Sequence, residues 1–257
     1  AIPQAIEIGS TLLLSSGSHG KYLGRIDLEV KDGKVVGHSS NLIPVFSDVI
    51  QPDAEMSAKI DEVRKPYETE LNRVIGKTES LLYRRGNFNG TWDDLICQGI
   101  IEQRDTQIAL SPGFRWGTTL LPDQDITIED LYTETSMSYP SVYRLEFTGT
   151  QMKDILEDVC DNLFIKDPFF QQGGDMVRVG GMSYTCSPNA DMGGRISDMR
   201  LMSTGEPLEA DKKYVVGGWA SVNENVEGPA IYDLMEQHIT AKQVVSLPDQ
   251  PTVKVNM

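Results

Sequence analysis

Residues 108–121 of the chain read IALSPGFRWGTTLL, an apolar run followed by a turn, a cation and an aromatic residue. The apolar run 108–110 predicts a buried strand, and the Pro-Gly pair predicts a tight turn after it, because proline fixes φ and glycine permits positive φ. Arg115 leaves that turn, a place from which a guanidinium can hold an oxyanion with two parallel hydrogen bonds. Trp116 would line such a site or stack on the cation. The alternative is a surface turn whose arginine forms only a salt bridge.

The composition indicates a globular protein and argues against two kinds of partner. The chain has 257 residues, of which 39% are hydrophobic, enough to bury a core. Its 38 acidic residues outnumber 23 Lys and Arg, and the formal net charge is −15. This balance argues against a nucleic-acid partner, because phosphate binding needs an excess of cations. The sequence has no run of about 18 apolar residues, so it predicts no membrane span.

Three cysteines, Cys97, Cys160 and Cys186, are far apart in sequence and lack Cys-x-x-Cys spacing. They predict neither a zinc set nor a complete disulfide framework. Cys97 and Cys160 fall on the apolar faces of predicted helices, where a free thiol is most often a small core residue. The sequence therefore assigns no chemistry to the three thiols.

Apolar spacing predicts a β-rich beginning followed by a long helix. Residues 6–14 and 22–30 are predicted as paired strands, and 35–43 returns from the second of these after an Asp-Gly hairpin turn. Within 51–74, apolar residues recur at steps of three and four, which is the spacing of one helical stripe. Pro66 lies inside this stripe and is expected to kink the helix.

The remaining elements predict an α+β fold class with mixed sheets and packed helices. Further strands are predicted at 77–83, 107–110, 143–148, 182–186, 196–202 and 213–220, and further helices from 92, at 148–164 and at 229–239.

Two polar, glycine-containing loops are additional candidates for a binding site. The first, 84–90, reads RRGNFNG and offers Asn87 and Asn89; the alternative is that these amides only shape the loop through turns. The second, 167–181, reads DPFFQQGGDMVRVGG, and its residues 168–170 are predicted to serve local packing, with a recognition surface as the alternative. Its polar and glycine residues serve no core and are predicted to bind substrate: Gln171, Gln172, Gly173, Gly174 and Asp175.

Four separated segments, 83–91, 111–118, 171–181 and 214–222, resemble in the same order the C-terminal domain of the 5'-nucleotidase family, in the metallophosphoesterase superfamily. Four agreements in order are much harder to obtain by chance than one. The residues of the first two segments are more similar to one branch of the family, the thiosulfohydrolases of periplasmic sulfur oxidation. The resemblance implies the mixed α+β fold of that C-terminal domain.

The resemblance also implies a domain organisation. Residues 1–50 would be a β-rich remnant of the metallophosphoesterase catalytic domain, 51–76 a linker helix, and 77–257 the substrate-binding C-terminal domain. The family's metal-binding Gly-His-Thr-His segment lies upstream of a stretch like 1–24, so the metal ligands are expected before Ala1. Two manganese ions are therefore expected in the full-length enzyme and none in this fragment, which is predicted to be inactive alone.

In this branch the implied reaction is the release of sulfate from a cysteine S-thiosulfonate on a sulfur carrier protein in the periplasm. The resemblance implies that Arg115 neutralises the anion, while Trp116 and 171–175 shape the groove that admits the carrier's flexible arm. It also implies that Asn87 or Asn89 contacts the transferred group near the metals. The enzyme is expected to be a monomer without a nucleic-acid or membrane partner.

Two other functions stay open. In the first, the chain is the C-terminal domain of a 5'-nucleotidase or 2',3'-cyclic phosphodiesterase, which clamps a base between two aromatic side chains. Nucleotidases of the family carry a late Gly-Asp-Gly-Tyr-like turn, whereas residues 217–223 read GGWASVN here. This departure favours a pocket for a substrate without a base. In the second, the chain is a binding module without catalytic activity.

Overall fold

The computed structural model of the chain describes residues 2–84, 86–114, 117–136, 139–221, 226–248 and 251–257. The chain divides into two compact units, residues 1–66 and residues 67–257. The division falls inside 51–76, the segment predicted as a linker helix. Each unit is described by itself.

The first unit consists of two antiparallel hairpins and one helix. Its strands and helix are β1 (Ile6–Ile8), β2 (Thr11–Leu13), β3 (Tyr22–Lys31), β4 (Lys34–Pro44) and α1 (Ala54–Arg64). The hairpin of β3 and β4 confirms the predicted Asp-Gly turn, with φ of 49° at Asp32 and 73° at Gly33. The single strand predicted over 6–14 is wrong: Gly9, with φ of 62°, turns the chain so that β1 pairs with β2 instead of β3.

The predicted long helix is divided into two helices. Helix α1 begins after Asp53, whose carboxylate accepts a 2.8 Å hydrogen bond from the backbone N–H of Met56. It ends at Arg64, shortly before Pro66, and a short helix α2 (Glu68–Leu71) follows in the second unit. A proline has no N–H to donate to the preceding turn and its ring clashes there, so a full break replaces the expected kink.

The second unit continues with strands and helices that confirm the predicted α+β class. After α2 its elements are β5 (Val74–Thr78), α3 (Thr91–Arg104), β6 (Ile108–Ser111), β7 (Asp125–Thr127), α4 (Ile128–Thr135), β8 (Tyr143–Thr148), α5 (Gly149–Phe164), β9 (Arg178–Gly180), β10 (Met182–Cys186), β11 (Ile196–Leu201), β12 (Lys213–Gly218), α6 (Ile231–Lys242), β13 (Val244–Val245) and β14 (Val253–Val255). The strand expected at 77–83 is therefore displaced toward lower numbers, since β5 already begins at Val74.

Three sheets form this unit. The largest has the order β8-β12-β6-β9, and its two central strands, β6 and β12, are parallel. The outer strands β8 and β9 run antiparallel to their neighbours. The smaller sheets have the orders β11-β10-β14 and β13-β5-β7. Because β6 and β12 are parallel, their carboxyl ends meet at one edge of the sheet.

Helices α3 and α5 pack into two separate clusters of buried side chains. Trp92, Ile96 and Ile100 of α3 lie in the first cluster, and Met152, Leu156 and Cys160 of α5 lie in the second. A capping box starts α5: the Thr148 hydroxyl accepts from the N–H of Gln151, whose side chain accepts from the N–H of Thr148. These caps confirm the helix predicted at 148–164. Among the described helices, none combines the length and apolar character needed to cross a membrane.

Candidate functional site

The carboxyl ends of β6 and β12 carry two polar groups that bind each other. Ser111 is the last residue of β6, and Trp219 follows β12 directly. The indole Nε1 of Trp219 donates a 3.0 Å hydrogen bond to the hydroxyl of Ser111, and both side chains are buried. Ligands of open α/β sheets bind outside the carboxyl ends of the strands, so this edge is the first place to look for a site.

A cavity of about 300 Å³ opens at this edge. The cavity is lined mainly by apolar side chains. The lining residues are Leu110, Ser111, Pro112, Tyr143, Leu145, Phe147, Ile155, Val177, Trp219, Ala220 and Ser221. The Tyr143 ring covers Gly218, where an added Cβ would meet the phenol oxygen at 2.2 Å. Burial raises the pKa of Tyr143 to about 12, so its hydroxyl is neutral at physiological pH and able to donate a hydrogen bond.

Beneath this edge lies a buried carboxyl, that of Asp93 on α3. Its Oδ1 accepts hydrogen bonds from the Ser111 hydroxyl at 2.9 Å and from Nη2 of Arg84 at 3.0 Å. Its Oδ2 lies 3.4 Å from Nε of Arg178. Burial raises the pKa of Asp93, while the charges of the two arginines and the hydrogen bonds lower it. Two guanidinium groups and one serine thus converge on a single carboxyl.

Arg84 is the residue that links the two sides of this region. Its guanidinium is buried, and Nη1 donates to the backbone carbonyl of Glu134 while Nη2 donates to Asp93. The guanidinium carbon lies 5.4 Å from the ring centroid of Phe114 and 5.8 Å from that of Trp219. Such cation–π contacts stabilise a desolvated cation.

Glu134, near the end of α4, holds the far side of the 111–118 loop. Its Oε1 accepts a 2.8 Å hydrogen bond from the backbone N–H of Thr118, and its Oε2 lies 3.7 Å from Nη1 of Arg84. Burial raises the pKa of Glu134 to about 8, against the opposing attraction of Arg84. The carboxyl is therefore largely protonated at neutral pH.

We call Arg84, Asp93, Glu134, Asp175 and Arg178 the buried charge cluster. Nη2 of Arg178 lies 3.3 Å from the Asp175 carboxylate and also donates to the backbone carbonyl of Gly86. The cluster fixes the loop at both ends, through Ser111 and through Thr118.

The two residues on which the sequence placed most weight, Arg115 and Trp116, lie outside the described residues. Their neighbours on both sides are described. Phe114 packs edge-on against Trp219, with ring centroids 5.9 Å apart and an interplanar angle of 79°. On the other side, Gly117 has φ of 126° and lies against Glu134.

The predicted asparagines take different positions. Asn87 is exposed, and its backbone carbonyl accepts a 2.9 Å hydrogen bond from the N–H of Met176. The side chain of Asn89 accepts from the N–H of Gly90 at 2.8 Å and donates to Asp94 at 3.3 Å. The side chain of Asn89 thus bonds within its own loop and to α3, whereas the side chain of Asn87 faces solvent.

The residues of the second predicted loop also differ in burial. Gln171, Gln172, Gly173 and Gly174 are exposed, with φ of 74° and 100° at the two glycines, while Asp175 is buried against Arg178. The loop approaches 111–118 closely: an added Cβ on Gly113 would lie 2.4 Å from the carbonyl oxygen of Met176. The structure therefore brings described residues of 84–90, 111–118 and 171–178 together.

Two aromatic residues beside this loop contradict a sequence prediction. Phe169 is 94% exposed and Phe170 is 65% exposed, so neither serves the local packing that the sequence predicted for residues 168–170. The backbone N–H of Phe169 is bonded by the side chain of Asp167, a local turn that directs the chain away from the core. The rings lie on the surface instead.

The aromatic pairs of this region leave no space between their rings. Phe114 and Trp219 touch edge to face, and Phe88 stacks on Phe164 with centroids 5.9 Å apart and an interplanar angle of 10°. Rings at such distances are already in contact with each other. Neither pair can hold a planar base between its members without moving apart.

The described part of the chain contains no group of three or more His, Cys, Asp or Glu residues placed to hold a metal ion. The cluster carboxylates instead face guanidinium groups, which compete with a cation for the same oxygens. The described residues do not fit a manganese site.

Sequence reasoning missed four members of the buried charge cluster: Arg84, Asp93, Glu134 and Arg178. Each is a charged residue, and the four lie on a loop, two helices and a strand. Such residues are rarely buried unless they are paired, so the pattern alone favours surface positions. Only the fold, which brings four segments to one place, identifies the pairs.

Comparisons with known proteins agree with this fold. Residues 74–230 match the family model described as 5'-nucleotidase, C-terminal domain. No curated protein matches the chain. Among solved structures, the sulfate thiohydrolase SoxB from Thermus thermophilus, in complex with glycerol, superposes with a TM-score of 0.91 and 30% identity. That match covers 99% of this chain and 48% of SoxB.

Two other solved structures share the fold at lower identity. The 5'-nucleotidase precursor of Thermus thermophilus has a TM-score of 0.80 and 15% identity, over 98% of this chain and 54% of its own. The NAD nucleotidase NadN of Haemophilus influenzae has a TM-score of 0.58 and 13% identity, over 99% of this chain and 57% of its own. The chain therefore spans about half the length of the structures that it matches.

Proposed function

The chain belongs to the 5'-nucleotidase C-terminal domain family, and we propose that it is the substrate-binding part of a hydrolase of the SoxB type. In this proposal the full-length enzyme releases sulfate from a cysteine S-thiosulfonate carried by a sulfur carrier protein. The chain contributes the site that receives the sulfonate.

Similarity over the whole chain supports the sulfohydrolase over the nucleotidase. The match to SoxB has twice the sequence identity of the match to the 5'-nucleotidase precursor, 30% against 15%, over the same stretch. The mutual contact of Phe114 and Trp219 supports the same choice, because it leaves no slot for a base between these two rings. A sulfonate on a cysteine has no base to accommodate.

The observation that carries the proposal is the fixed loop above the buried charge cluster. Ser111 is held by Asp93 and Trp219 on one side, and Thr118 is held by Glu134 on the other. A short loop fixed at both ends loses little conformational entropy when an anion binds to it. We propose that Arg115, between these two anchors in sequence, binds the sulfonate oxygens with its planar pair of N–H donors.

Residues 171–175 supply the other side of the proposed site. Asp175 is fixed by Arg178, and the exposed Gln171, Gln172, Gly173 and Gly174 precede it. An added Cβ on either glycine would meet nothing within 4 Å, so the space beside both Cα atoms can admit a peptide. We propose that this segment, with Trp116 and Asn87, lines the path of the carrier's flexible arm.

The remaining parts of the proposal concern the full-length protein. Two manganese ions would require ligands from outside the described residues, and no step at this site is assigned to them. The enzyme is proposed to act in the periplasm as a monomer, on a protein-bound substrate and without a nucleic-acid or membrane partner.

The experiment that tests the proposal compares two substrates on the full-length enzyme with its metals bound. A peptide that carries a cysteine S-thiosulfonate is expected to release sulfate, and AMP is expected to release phosphate at least 100-fold more slowly in terms of kcat/KM, about 2.7 kcal/mol of discrimination. The isolated 257-residue chain is expected to hydrolyse neither substrate. Faster turnover of AMP than of the thiosulfonate would return the nucleotidase to first place.

A further inference from the structure

Two of the three thiols lie side by side in the second unit. Cys160 on α5 and Cys186 at the end of β10 are 26 residues apart in sequence, and their Sγ atoms are 3.5 Å apart. Both residues are fully buried. Sequence spacing gave no sign of this pair, because only the packing of α5 against β10 brings the thiols together.

We propose that Cys160 and Cys186 form an intramolecular disulfide when the chain folds in the presence of a disulfide oxidant. A disulfide has a sulfur–sulfur bond of about 2.05 Å, so the two atoms, 3.5 Å apart, approach by roughly 1.5 Å when the bond forms.

The polar contacts of the same junction hold α5 and β11 in the required arrangement. Glu157, on the turn of α5 before Cys160, accepts hydrogen bonds from the N–H groups of Gly193 at 2.8 Å and Ile196 at 2.7 Å. Arg195 binds Asp161, the residue after Cys160. Ile196 is the register partner of Cys186 across the β10–β11 pair. These contacts position the two sulfurs before any covalent bond forms.

Formation of the Cys160–Cys186 disulfide consumes one molecule of a disulfide oxidant. A Cys thiolate attacks the oxidant disulfide and releases one of its thiols, which gives a mixed disulfide between the chain and the oxidant. The thiolate of the second Cys then attacks the chain's sulfur in that mixed disulfide and releases the second thiol of the oxidant. Overall the two cysteines lose two protons and two electrons, and the oxidant disulfide is reduced to two thiols.

The third cysteine provides an internal control. Cys97 is buried in the other hydrophobic cluster, under Gly180, where an added Cβ would lie 2.5 Å from the Cys97 Cβ. Burial raises the pKa of the Cys97 thiol well above its usual value. Because Cys160 and Cys186 both lie in the other cluster, Cys97 is expected to stay a free thiol under conditions that join those two.

The crosslink would act on a segment that matters for the proposed site. Helix α5 ends at Phe164, four residues after Cys160, and the chain then enters the loop that carries residues 171–175. Phe164 also stacks on Phe88 of the 84–90 loop. A covalent bond between α5 and β10 would keep the end of this helix in place when the loop moves.

The test counts thiols in the complete 257-residue chain, produced through an oxidising secretory compartment and purified without reductant. The folded protein is denatured and alkylated, and its peptides are identified by mass spectrometry. One alkylated cysteine, Cys97, and one linked peptide pair containing Cys160 and Cys186 are expected. Three alkylated thiols in folded protein, or a crosslink through Cys97, would overturn the proposal.

Variants and melting temperatures provide a second measurement. Cys97→Ala should keep the linked peptide pair and show no alkylated thiol, whereas Cys186→Ser should show two alkylated thiols and no linked pair. The crosslinked protein should melt on the order of 5 °C above the same protein after reduction. Equal melting temperatures for the two forms of folded protein would also count against a disulfide at this junction.

Discussion

A Cβ atom on Gly117 would lie 2.3 Å from Oε1 of Glu134, so the buried carboxyl occupies the space that a side chain at position 117 would need. The same Glu134 oxygen accepts the hydrogen bond from the N–H of Thr118. The Glu134 carboxyl therefore leaves room only for glycine at position 117.

Gly117→Ala is expected to destabilise the protein by more than backbone strain alone. The φ of 126° costs an alanine about 1–2 kcal/mol, and the contact with Glu134 adds roughly 1–3 kcal/mol of overpacking. Gly205→Ala is the matched control, because its φ is 73° and an added Cβ meets nothing within 4 Å. Chemical denaturation of both variants is the measurement, and equal losses of stability would show that Glu134 does not restrict position 117.

Asp93→Asn is expected to destabilise the second unit by about 3–5 kcal/mol. The change removes the negative charge that faces the buried guanidinium groups of Arg84 and Arg178, and an unbalanced buried charge is costly. Asp94→Asn, one residue further along α3, is the control. The Asp94 carboxylate accepts a 3.3 Å hydrogen bond from the neutral amide of Asn89 instead of facing two buried guanidinium groups, so loss of its charge should cost little. Similar urea midpoints for the two variants would contradict the role given to Asp93.

The stability that Glu134 contributes should decline as pH rises. Its pKa in the folded state, about 8, lies above its ordinary value of 4.5 because burial disfavours the charged form, and Arg84 opposes this only in part. The folded state therefore binds the proton more tightly, and this contribution is complete below about pH 4.5 and is lost as pH rises through about 8. Asp93 and Asp130 also face the group, and both raise its pKa.

Glu134→Gln isolates this effect, because the amide stays neutral throughout. The free energy of unfolding of the wild type, relative to the variant, should fall between about pH 5 and pH 9. Glu146→Gln, at an exposed carboxylate paired with Lys213, should leave the wild-type slope unchanged. A constant difference between wild type and Glu134→Gln over this range would show that the carboxyl does not titrate there.

AMP is expected not to stabilise the full-length enzyme. A specific ligand at 100 times its dissociation constant adds about 2.7 kcal/mol to the free energy of unfolding, which is on the order of 5 °C in melting temperature. The rings of Phe114 and Trp219 contact each other and leave no slot for a base between them. A thermal shift with AMP at millimolar concentration, measured beside a known 5'-nucleotidase, checks this, and a shift of that size would support the nucleotidase alternative.

Arg115→Lys in the full-length enzyme is expected to reduce turnover of the thiosulfonate by roughly 10² to 10³, as loss of one oxyanion donor does. The lysine keeps the charge but loses the planar pair of donors. Its effect on stability should be about 1 kcal/mol or less, as for most surface changes. Turnover and unfolding are measured on the same preparation, and normal turnover, or a loss explained by unfolding, would leave Arg115 without the proposed role.

The sequence was sufficient for the fold class and for most elements of the second unit. The helix predicted at 148–164 and the strand at 143–148 are present because strong local signals, a capping box and an apolar alternation, agree with the tertiary structure. The errors occur where one residue overrides the apolar pattern. Gly9 divides a predicted strand, and Pro66 divides a predicted helix.

The sequence indicated candidate loops but not the buried contacts that connect them. Clusters of glycine and amide residues marked the loops that converge, because such residues serve no core. The partners of Arg84 and Arg178 come from segments far away in sequence, so spacing could not reveal them. The same reason explains why the pair of Cys160 and Cys186 was missed.

The order of strands in the second unit affects how this unit folds during translation. Strand β5, made first, pairs with β13 at residues 244–245, and β10 pairs with β14 at residues 253–255. Neither sheet can be completed during early synthesis, and closing such long loops slows folding. The nascent unit therefore keeps open strand edges until residues 244–255 are translated, so its yield in a cell should depend on chaperones that cover those edges until then.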